Sequence, residues 1–368
     1  MLKAIYNKIK NWYDKRHTFS FLDTETEKQY FVNIATSPVC DNITSLSETS
    51  RTIFGNLTTD LSTKTLFHYT NKAFFEPEWL CGLTENGEII PASVPNNNWQ
   101  WNGYWPMHPL PSAFNIKYRY KKHLYFDKII VVDDFYGFSN NYYHFLVHLI
   151  GQLLMLQENG IDMSLPVLMP KSIREKKFFV QFADQYPLLK QLNYIEYDRC
   201  IVHCNEFYIC NSTIITENQI KIFKQITTNS NSHNKKIFIG RKNVARVASN
   251  ANEIEKIMKS FGFETVYFEN HTLDEQIAII RGADYFVSYH GAGLTNLLFT
   301  NNPNLKVLEI HNSNAKLYWH YALFCAKMKI NYDCFVGGEM KNDSYYVNPL
   351  EFEKKISEWI VSKMQNNE

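Results

Sequence analysis

The sequence predicts an α/β protein with two domains and a parallel, Rossmann-like sheet. The first observation is the length of 368 residues, which is more than one ordinary hydrophobic core organises. The second is the composition, 45% hydrophobic and 20% charged, which is typical of a folded chain. The third is a regular alternation of short apolar strands and amphipathic helices in the C-terminal half.

The C-terminal alternation starts with the strand "KKIFIG" and continues with a helix in "NANEIEKIMKSFG". Asn250 and Glu253 predict a capping box at the start of that helix, and Gly262 predicts its end. Thr272 and Glu275 predict a second capping box before "TLDEQIAIIRG". Further strands are predicted in "ETVYFE", "DYFVSY" and "LKVLEI", and a further helix in "NAKLYWHYALFCAKM". Strands that alternate with helices of this length imply right-handed crossovers and a parallel sheet.

The N-terminal half predicts a second α/β unit with a less regular pattern. "KIIVVDD" and "LPVLMP" are predicted strands, "NNYYHFLVHLIGQLLMLQENG" and "SIREKKFFVQFADQ" are predicted helices, and "CIVHCNEFYI" is a strand pair or a bent strand. A polar segment rich in Asn and Ser near 212–234 predicts the link between domains. We therefore place an N-terminal domain at 1–215, a C-terminal domain at 216–340, and a C-terminal helix at 341–368 that can pack back on the first domain.

Charge and cysteine usage exclude several classes of protein. Lys and Arg number 38 against 37 Asp and Glu, so no overall field attracts nucleic acid. The seven cysteines lack paired spacing, which argues against a zinc ribbon or a disulfide framework. No apolar run of about 18 residues and no signal-peptide centre occur, so a cytoplasmic location is predicted. Residues 1–17 are basic and amphipathic, which suits either peripheral contact with the inner membrane face or a frayed or core-packed helix.

The stretch "VSYHGAGLTNLLF" predicts a ligand site, because it places a strand, a histidine and two glycines before a new apolar helix. In parallel α/β sheets, ligands bind beyond the carboxyl ends of the strands. The glycines would let the backbone approach a ligand or adopt positive φ, although a simple tight turn also explains them. A phosphate would meet the helix amides and the imidazole. The residues concerned are His290, Gly291, Ala292, Gly293, Leu294, Thr295 and Asn296.

A basic loop follows the first strand of the same sheet. Arg241, Lys242 and Arg246 lie in "GRKNVAR", directly after "KKIFIG". Arginine offers a planar fork that suits phosphate, whereas the alternative is a solvated basic loop. Both loops therefore predict an anion site at one edge of the sheet.

A third feature is a polar stripe on an apolar helix. His144, His148 and Gln152 recur at every fourth position after Asn141. These histidines either are satisfied inside the core or line a cleft. His-x3-His can hold zinc, but the Glu of an HExxH site is missing, so no metal is predicted. A histidine at the start of this helix is suited to general base catalysis, since its ordinary pKa lies near neutrality.

The ordered blocks "NNYYHFLVHLIGQL" and "IFIGRKNVAR" through "VSYHGAGLTNLLF" to "LKVLEI" resemble glycosyltransferase family 61 over about residues 128 to 312. The resemblance implies a GT-B fold, in which two Rossmann-like domains with parallel sheets face a central cleft. It also implies inverting transfer of a hexosyl or pentosyl group from a nucleotide sugar to a glycan or lipid-linked glycan hydroxyl. A bacterial surface polysaccharide such as capsule or lipopolysaccharide is the expected product.

The resemblance also implies roles for individual residues. The acceptor side takes Asn141, Tyr143 and the His144 helix. The donor side takes the two loops, and Glu309 either reaches the nucleotide ribose or is a solvated strand end. The family commonly carries Asp or Glu where this chain has His148, so either His148 or His144 removes the acceptor proton. No cofactor is implied, and transfer without a metal is expected because cations and amides can stabilise the leaving diphosphate.

Two other classes fit the sequence less well. A noncatalytic nucleotide- or glycan-binding relative is consistent with the replacement of the usual acid by His148. A nicotinamide-dependent oxidoreductase would share the fold class, but no GxGxxG motif follows a strand.

Overall fold

The computed structural model describes residues 26, 29–37, 47–50, 64–75, 82–93, 122–132, 141–169, 171–195, 200–211, 217–228, 235–241, 246–313 and 320–362. Its described parts form two compact units, drawn from Met1–Pro38 with Ser62–Ile215 and from Val39–Leu61 with Thr216–Glu368. Both units mix helices with parallel strands, as the sequence predicted. Within the described ranges, no helix is both long enough and apolar enough to cross a membrane.

The sheet of the first unit has eight strands among the described residues: β1 (Phe31–Ser37), β2 (Lys64–Tyr69), β3 (Ala73–Phe75), β4 (Gly82–Thr84), β5 (Lys122–Val131), β6 (Pro166–Leu168), β7 (Asn193–Ile195) and β8 (Cys200–Asn211). The strand order is β1-β2-β8-β5-β6-β7, and β3 pairs with both β8 and β4. Strands β8, β5, β6 and β7 run parallel to one another, whereas β2 and β3 pair antiparallel with β8.

This mixed sheet corrects the prediction of a Rossmann-like parallel sheet in the first unit. The segment predicted as a strand pair or bent strand is one 12-residue strand, β8. Its length lets it pair with β5 along one edge and with β3 and β2 in succession along the other. The added strands come from the chain before Lys117, where the sequence shows no clear periodicity. The sequence therefore could not indicate their antiparallel pairing.

The long helix predicted after Asn141 is divided into three parts. It begins as α1 (Tyr142–His144), continues as a π-helix over Phe145–Ile150, and ends as α2 (Gly151–Glu158). The remaining described helices of this unit are α3 (Lys171–Arg174), α4 (Lys177–Gln185) and α5 (Leu188–Gln191), together with a 3-10 helix at Pro91–Ser93.

The second unit contains the predicted parallel sheet. Its strands are β9 (Lys236–Ile239), β11 (Glu264–Val266), β12 (Tyr285–Tyr289), β13 (Lys306–His311) and β14 (Asn331–Val336), and a separate pair joins β10 (Val247–Ala248) to β15 (Ser344–Tyr345). The main order is β11-β9-β12-β13-β14, with every pair parallel. The chain moves outward from β9 in one direction and then in the other, so the β9–β12 pair is a topological switch point.

The described helices of the second unit are α6 (Glu217–Gln225), α7 (Ala251–Ser260), α8 (Leu273–Gly282), α9 (His320–Met328) and α10 (Pro349–Val361), together with 3-10 helices at Phe268–Asn270 and Ala292–Phe299. Thr272 and Glu275 form the predicted capping box at α8. The box predicted at Asn250 is wrong, because the Asn250 side chain makes no cap bond to the start of α7. The side-chain amide of Asn250 instead donates to the Val347 carbonyl oxygen and accepts from the Val347 backbone N–H.

The C-terminal helix α10 belongs to the second unit. Phe352, Ile356 and Trp359 lie in one buried core with Phe238 and Val287 of the parallel sheet. The prediction that residues 341–368 pack back on the first domain is therefore corrected for this apolar face. The cause is the spacing of the three buried residues, which places them on one side of the helix.

A buried lysine caps the end of α10. Lys306, at the start of β13, is only 4% exposed. Its ammonium donates to the backbone oxygens of Trp359 at 3.3 Å and Ser362 at 2.5 Å. A cation at a helix C-terminus satisfies carbonyl groups that have no intrahelical donor.

A short N-terminal segment also belongs to the second unit, which corrects the continuous boundary of 1–215. The backbone amide of Ser47 donates to the Tyr332 oxygen at 2.9 Å, and its hydroxyl donates to Asp333 at 2.6 Å. Asp333 in turn pairs with Lys355 of α10 at 2.6 Å. Residues 47–50 thus attach to β14 by polar contacts that no sequence periodicity reveals.

Candidate functional site

The two loops predicted to bind an anion meet at the switch point. Strands β9 and β12 are parallel neighbours, and Arg241 and His290 follow their carboxyl ends. Arg241 Nη1 donates to the backbone oxygen of His290 at 2.6 Å. Residues 49 positions apart in the chain therefore form one contact at the edge where parallel sheets bind ligands.

Gly291 is needed so that Arg241 can approach the backbone. A Cβ atom at Gly291 would lie 2.7 Å from Arg241 Nη1 and 3.1 Å from Arg241 Cζ, so a side chain at this position would displace the guanidinium. The φ angle of Gly291 is 164°, an extended value, so positive φ is not the reason for this glycine. Gly293 makes room for a different side chain, since its Cβ would lie 3.2 Å from Phe268 Cδ2. The side chain that comes close to the backbone at Gly291 is therefore Arg241 of the same unit, and the predicted approach of a ligand stays a prediction.

The turn after His290 leads into a 3-10 helix, Ala292–Phe299. The first hydrogen bond of this helix runs from the Leu294 amide to the Gly291 oxygen at 3.0 Å. In the part of the chain that the structure describes, the amides of Ala292 and Gly293 have no backbone acceptor. Both residues are partly exposed. These two N–H groups are therefore the ones available to an anion.

The remaining predicted members of this turn lie inside the unit. Leu294, Thr295 and Asn296 are fully buried. The Asn296 amide donates to Gln276 Oε1 at 2.9 Å. The prediction that the amides from Leu294 to Asn296 face a phosphate is corrected, because the tight 3-10 turn carries them into the core.

Two positive charges lie together beside this turn. Burial lowers the pKa of the Arg241 guanidinium, and the nearby charge of Arg246 lowers it further. Tyr345, Tyr321 and Glu269 act in the opposite direction. Among the described residues, neither arginine makes an ion pair with a carboxylate. Such a pair of cations is electrostatically completed by a bound anion.

The loop that carries Arg246 has an unusual backbone. Arg246 has a φ of 65°, and its amide donates to the Asp343 oxygen at 2.7 Å. Asp343 also has positive φ, at 62°, and the adjacent strands β10 and β15 pair with each other. Non-glycine residues with positive φ persist where surrounding contacts impose them, and they cluster at ligand sites. Lys242 lies outside the described residues.

His290 is held from inside the unit by Glu309. The His290 Nδ1 atom lies 2.5 Å from Glu309 Oε1, and the Tyr332 hydroxyl donates to Glu309 Oε2 at 2.6 Å. His311 Nε2 lies 3.4 Å from the same Oε2 atom. The predicted contact of Glu309 with a nucleotide ribose is corrected, because this carboxylate is 0% exposed and both of its oxygens have internal partners.

The charge of Glu309 is maintained in spite of its burial. Burial alone would raise the pKa of this carboxyl, but the charge of His311 and hydrogen bonds from His290 and His311 hold the pKa far below its usual range. A buried carboxylate is stable only when it is paired in this way. Glu309 is therefore an ionised hydrogen-bond acceptor.

His290, Glu309 and His311 are also the described group with the potential to ligate a metal, since their ligand atoms lie within 4.8 Å of one another. Ligands of one zinc ion, bound at about 2.0–2.2 Å each, lie roughly 3 Å or more apart. The 2.5 Å separation of His290 Nδ1 and Glu309 Oε1 is that of a hydrogen bond instead. The cluster therefore fits a hydrogen-bonded network better than a metal cage.

The predicted histidine pair of the first unit is in direct contact. The Nδ1 atoms of His144 and His148 lie 3.5 Å apart, and the ring of Tyr143 packs edge-on against both imidazoles. Asn141 caps the helix by accepting a hydrogen bond from the Tyr143 amide at 2.9 Å. Burial lowers the pKa of His144 to about 4, so this imidazole is neutral at pH 7. Gln152, the third residue of the predicted stripe, is 2% exposed.

The π-helix over Phe145–Ile150 was missed by the sequence analysis. It separates the turn of His144 from the following α-helix and contains His148. Its residues FLVHLI include neither Gly nor Pro, so the sequence contains no local signal for it. Single π-helical turns occur frequently at functional sites, because the wider turn redirects side chains.

A cation pair at a topological switch point is typical of an α/β protein that binds an anionic ligand. Residues 142–308 match the family model described as Glycosyltransferase 61. The matched range contains the histidine pair of the first unit, and Arg241, Arg246 and His290 of the second. This match supports assigning the chain to glycosyltransferase family 61, and it confirms the resemblance seen in the sequence. No curated protein matches the chain.

Proposed function

We propose that this protein is an inverting glycosyltransferase that moves a hexosyl or pentosyl group from a nucleotide-diphosphate sugar to a glycan hydroxyl. The observation that carries the proposal is Arg241, which packs against Gly291 and the His290 carbonyl beside the second charge of Arg246. Two neighbouring cations without a carboxylate partner in the described chain fit the diphosphate of such a donor.

The donor diphosphate is proposed to bind at the carboxyl ends of β9 and β12. Arg241 uses one of its N–H groups on His290, and within the described residues its other donors make no further hydrogen bond, so they are proposed to bind phosphate oxygens. The amides of Ala292 and Gly293 supply fixed dipoles on the same turn. Lys242 and His290 complete the proposed cationic set. Donors fixed before the reaction stabilise the charge that develops on the leaving diphosphate.

The acceptor is proposed to react near His144 and His148, with Asn141 and Tyr143 on the same side. One imidazole takes the proton of the acceptor hydroxyl, and the oxygen attacks the anomeric carbon. The bond between that carbon and the diphosphate oxygen breaks on the opposite face, and the electron pair leaves with the nucleoside diphosphate. Neutral imidazole is the form that can accept this proton, which agrees with the lowered pKa of His144.

The proposal includes a GT-B arrangement, catalysis without a metal ion and no cofactor other than the donor. The division of the chain into two α/β units supports the first of these. A lipid-linked or free glycan acceptor in bacterial surface polysaccharide synthesis, at the cytoplasmic membrane face, completes it. The segment proposed for peripheral membrane contact, residues 1–17, lies outside the described residues.

The donor site is tested by measuring the dissociation constants of UDP, GDP, CDP and dTDP by calorimetry. Arg241→Ala should weaken the tightest of these nucleotides by roughly tenfold or more, since a hydrogen bond between charged groups contributes about 1.5–3 kcal/mol. Arg174→Ala, in the first unit, is the matched control and should leave the affinity unchanged. Equal affinity in wild type and Arg241→Ala removes the donor-site assignment.

A noncatalytic nucleotide- or glycan-binding protein is the second candidate. It is favoured by His148 at the position where the family commonly has an acid, and by a neighbouring histidine whose low pKa makes it a weak base. The two candidates are separated by incubation with the bound nucleotide sugar. Transfer or slow donor hydrolysis identifies an enzyme, and binding with neither reaction identifies the noncatalytic protein.

A further inference from the structure

The Glu309 network lies on three adjacent strands. Ser288 of β12 pairs with Glu309 of β13, which pairs with Cys334 of β14. Because side chains alternate along a strand, the residues two positions away from Ser288, Glu309 or Cys334 lie on the same face as Glu309. Those residues are His290, His311 and Tyr332, the three side chains that contact the carboxylate. The contacts are therefore set by the strand register.

His290 is the member of the network that reaches the donor site. Its side chain is 11% exposed, whereas Glu309 is 0% and His311 is 2% exposed. Tyr332 is likewise 2% exposed. The backbone oxygen of His290 also binds Arg241. Glu309, Tyr332 and His311 can therefore influence the proposed anion site only through the position of the His290 imidazole.

The hydrogen-bond roles follow from the charge of Glu309. An ionised carboxylate only accepts hydrogen bonds, so His290 Nδ1 must carry a proton and donate it. The Tyr332 hydroxyl occupies the other carboxylate oxygen, Oε2, and leaves Oε1 for His290. His311 stacks on His290 with ring centroids 5.1 Å apart and limits rotation of the ring. Glu309 and His311 therefore set both the protonation of Nδ1 and the orientation of the His290 ring.

We propose that Tyr332 and His311 are positioning residues of the donor site. They hold the Glu309 carboxylate, which accepts the Nδ1–H of His290 and so orients the ring for its Nε2–H to donate to the donor phosphates, the two protons making the nucleotide-bound ring an imidazolium. The inference rests on the proposed donor function. Neither residue belongs to a local motif of the donor loops, and neither touches the nucleotide in this scheme.

A double-mutant cycle tests the inference with UDP and GDP as the probes. Tyr332→Phe removes one hydroxyl and keeps the ring, and it should weaken binding about three- to tenfold, less than the loss of a direct hydrogen bond to the nucleotide, because Tyr332 acts on the nucleotide only through His290. In the His290→Ala background the same change should have no further effect, because the ring that it positions is gone. Tyr194→Phe is the matched control, since it deletes a hydroxyl that donates to the Leu189 oxygen in the first unit.

The outcomes separate two failures. If His290→Ala leaves nucleotide affinity unchanged, the donor role of His290 and the inference both fall. If His290→Ala weakens binding while Tyr332→Phe has the same effect in both backgrounds, the inference alone falls and Tyr332 is merely structural. His311→Gln, with folding checked by its thermal midpoint, repeats the cycle if Tyr332→Phe is unstable.

A spectroscopic measurement detects the proton on His290 directly in the unmodified protein. Nitrogen-15 NMR of labelled histidine, with His290→Gln for assignment, should show a proton on His290 Nδ1. Detection of a neutral ring protonated only on Nε2 overturns the inference, because Glu309 then receives no hydrogen bond from it.

Discussion

The two units place histidines in surroundings of opposite character. In the second unit, His290 faces an ionised carboxylate 2.5 Å away, which a tyrosine and another histidine hold in position. In the first unit, His144 contacts a second imidazole and a tyrosine ring, and burial lowers its pKa to about 4. The comparison shows one residue type in two different electrostatic surroundings, and we propose a different task for each. A carboxylate behind the ring suits anion binding, whereas an apolar setting keeps the ring neutral for proton acceptance.

The largest effect should come from the histidine pair. One of these two histidines is the proposed base. The variant that removes it, either His148→Ala or His144→Ala, should reduce transfer by about 10²- to 10⁴-fold, the usual contribution of general base catalysis. Nucleotide affinity should not change, because the donor residues lie on other elements. Initial rates and calorimetry measure the two quantities separately. Normal rates in both variants would show that this pair serves only packing.

The pH profile of transfer then assigns the base. If His144 is the proton acceptor, kcat should fall only as the pH approaches about 4, since protonation of the lowered group stops catalysis. A fall that is complete well above pH 4 excludes His144 and assigns the role to His148.

The Glu309 network should give the next largest effect, on stability. Glu309→Ala leaves histidines and a tyrosine without their buried acceptor and should cost about 3–5 kcal/mol of unfolding free energy. The folded-state pKa of Glu309 is lowered, so its stabilisation is present above the ordinary carboxyl pKa and is lost as the pH falls below that value. Urea unfolding at pH 7 and pH 3 measures both effects. In Glu309→Gln, an unchanged loss of stability on acidification would contradict the assignment.

A smaller effect is expected from Gly291→Ala. The added methyl would lie 2.7 Å from Arg241 Nη1 and must displace the guanidinium. Nucleotide affinity should fall several-fold, with only a modest change in thermal midpoint, because the side chain rather than the backbone gives way. Gly293→Ala is the matched control, since its methyl would press on Phe268 instead. A larger loss of affinity in Gly293→Ala would contradict the role given to Gly291.

No effect is expected from a chelator. The proposed leaving-group site consists of arginines, a histidine and backbone amides, so transfer should survive EDTA. Rates measured before and after dialysis against EDTA check this expectation. Loss of transfer that Mn²⁺ or Mg²⁺ restores would overturn it and would require a new account of the His290 cluster.

The sequence predicted the second unit well because its signals are local. Amphipathic helices between apolar strands predicted the parallel sheet, and Arg241 and His290 were found because both directly follow strands. The antiparallel strands of the first unit gave no such signal. β1 pairs with β2, and β2 pairs with β8, which lies more than 100 residues further along the chain. Pairing over that distance depends on tertiary packing rather than on local periodicity.

Tyr332 and His311 were missed for a different reason. Tyr332 contacts Glu309 from the neighbouring strand and His311 contacts it from two positions further along the same strand, so no local motif marks either residue. A usable signal existed in "LKVLEIH", because a strand buried on both faces is normally apolar throughout, and a Glu and a His within it must find partners. That signal predicts a buried polar network but does not name its other members.

The attachment of Ser47 to β14 has a practical consequence for engineering chimeric enzymes. Exchanging donor halves between relatives at the 215/216 junction would separate Ser47 from Asp333, although both belong to the same folding unit. A hybrid gene should therefore carry three crossovers, two that flank codons 39–61 and one after codon 215. With that design, the second unit is exchanged together with the short N-terminal segment that hydrogen-bonds to β14.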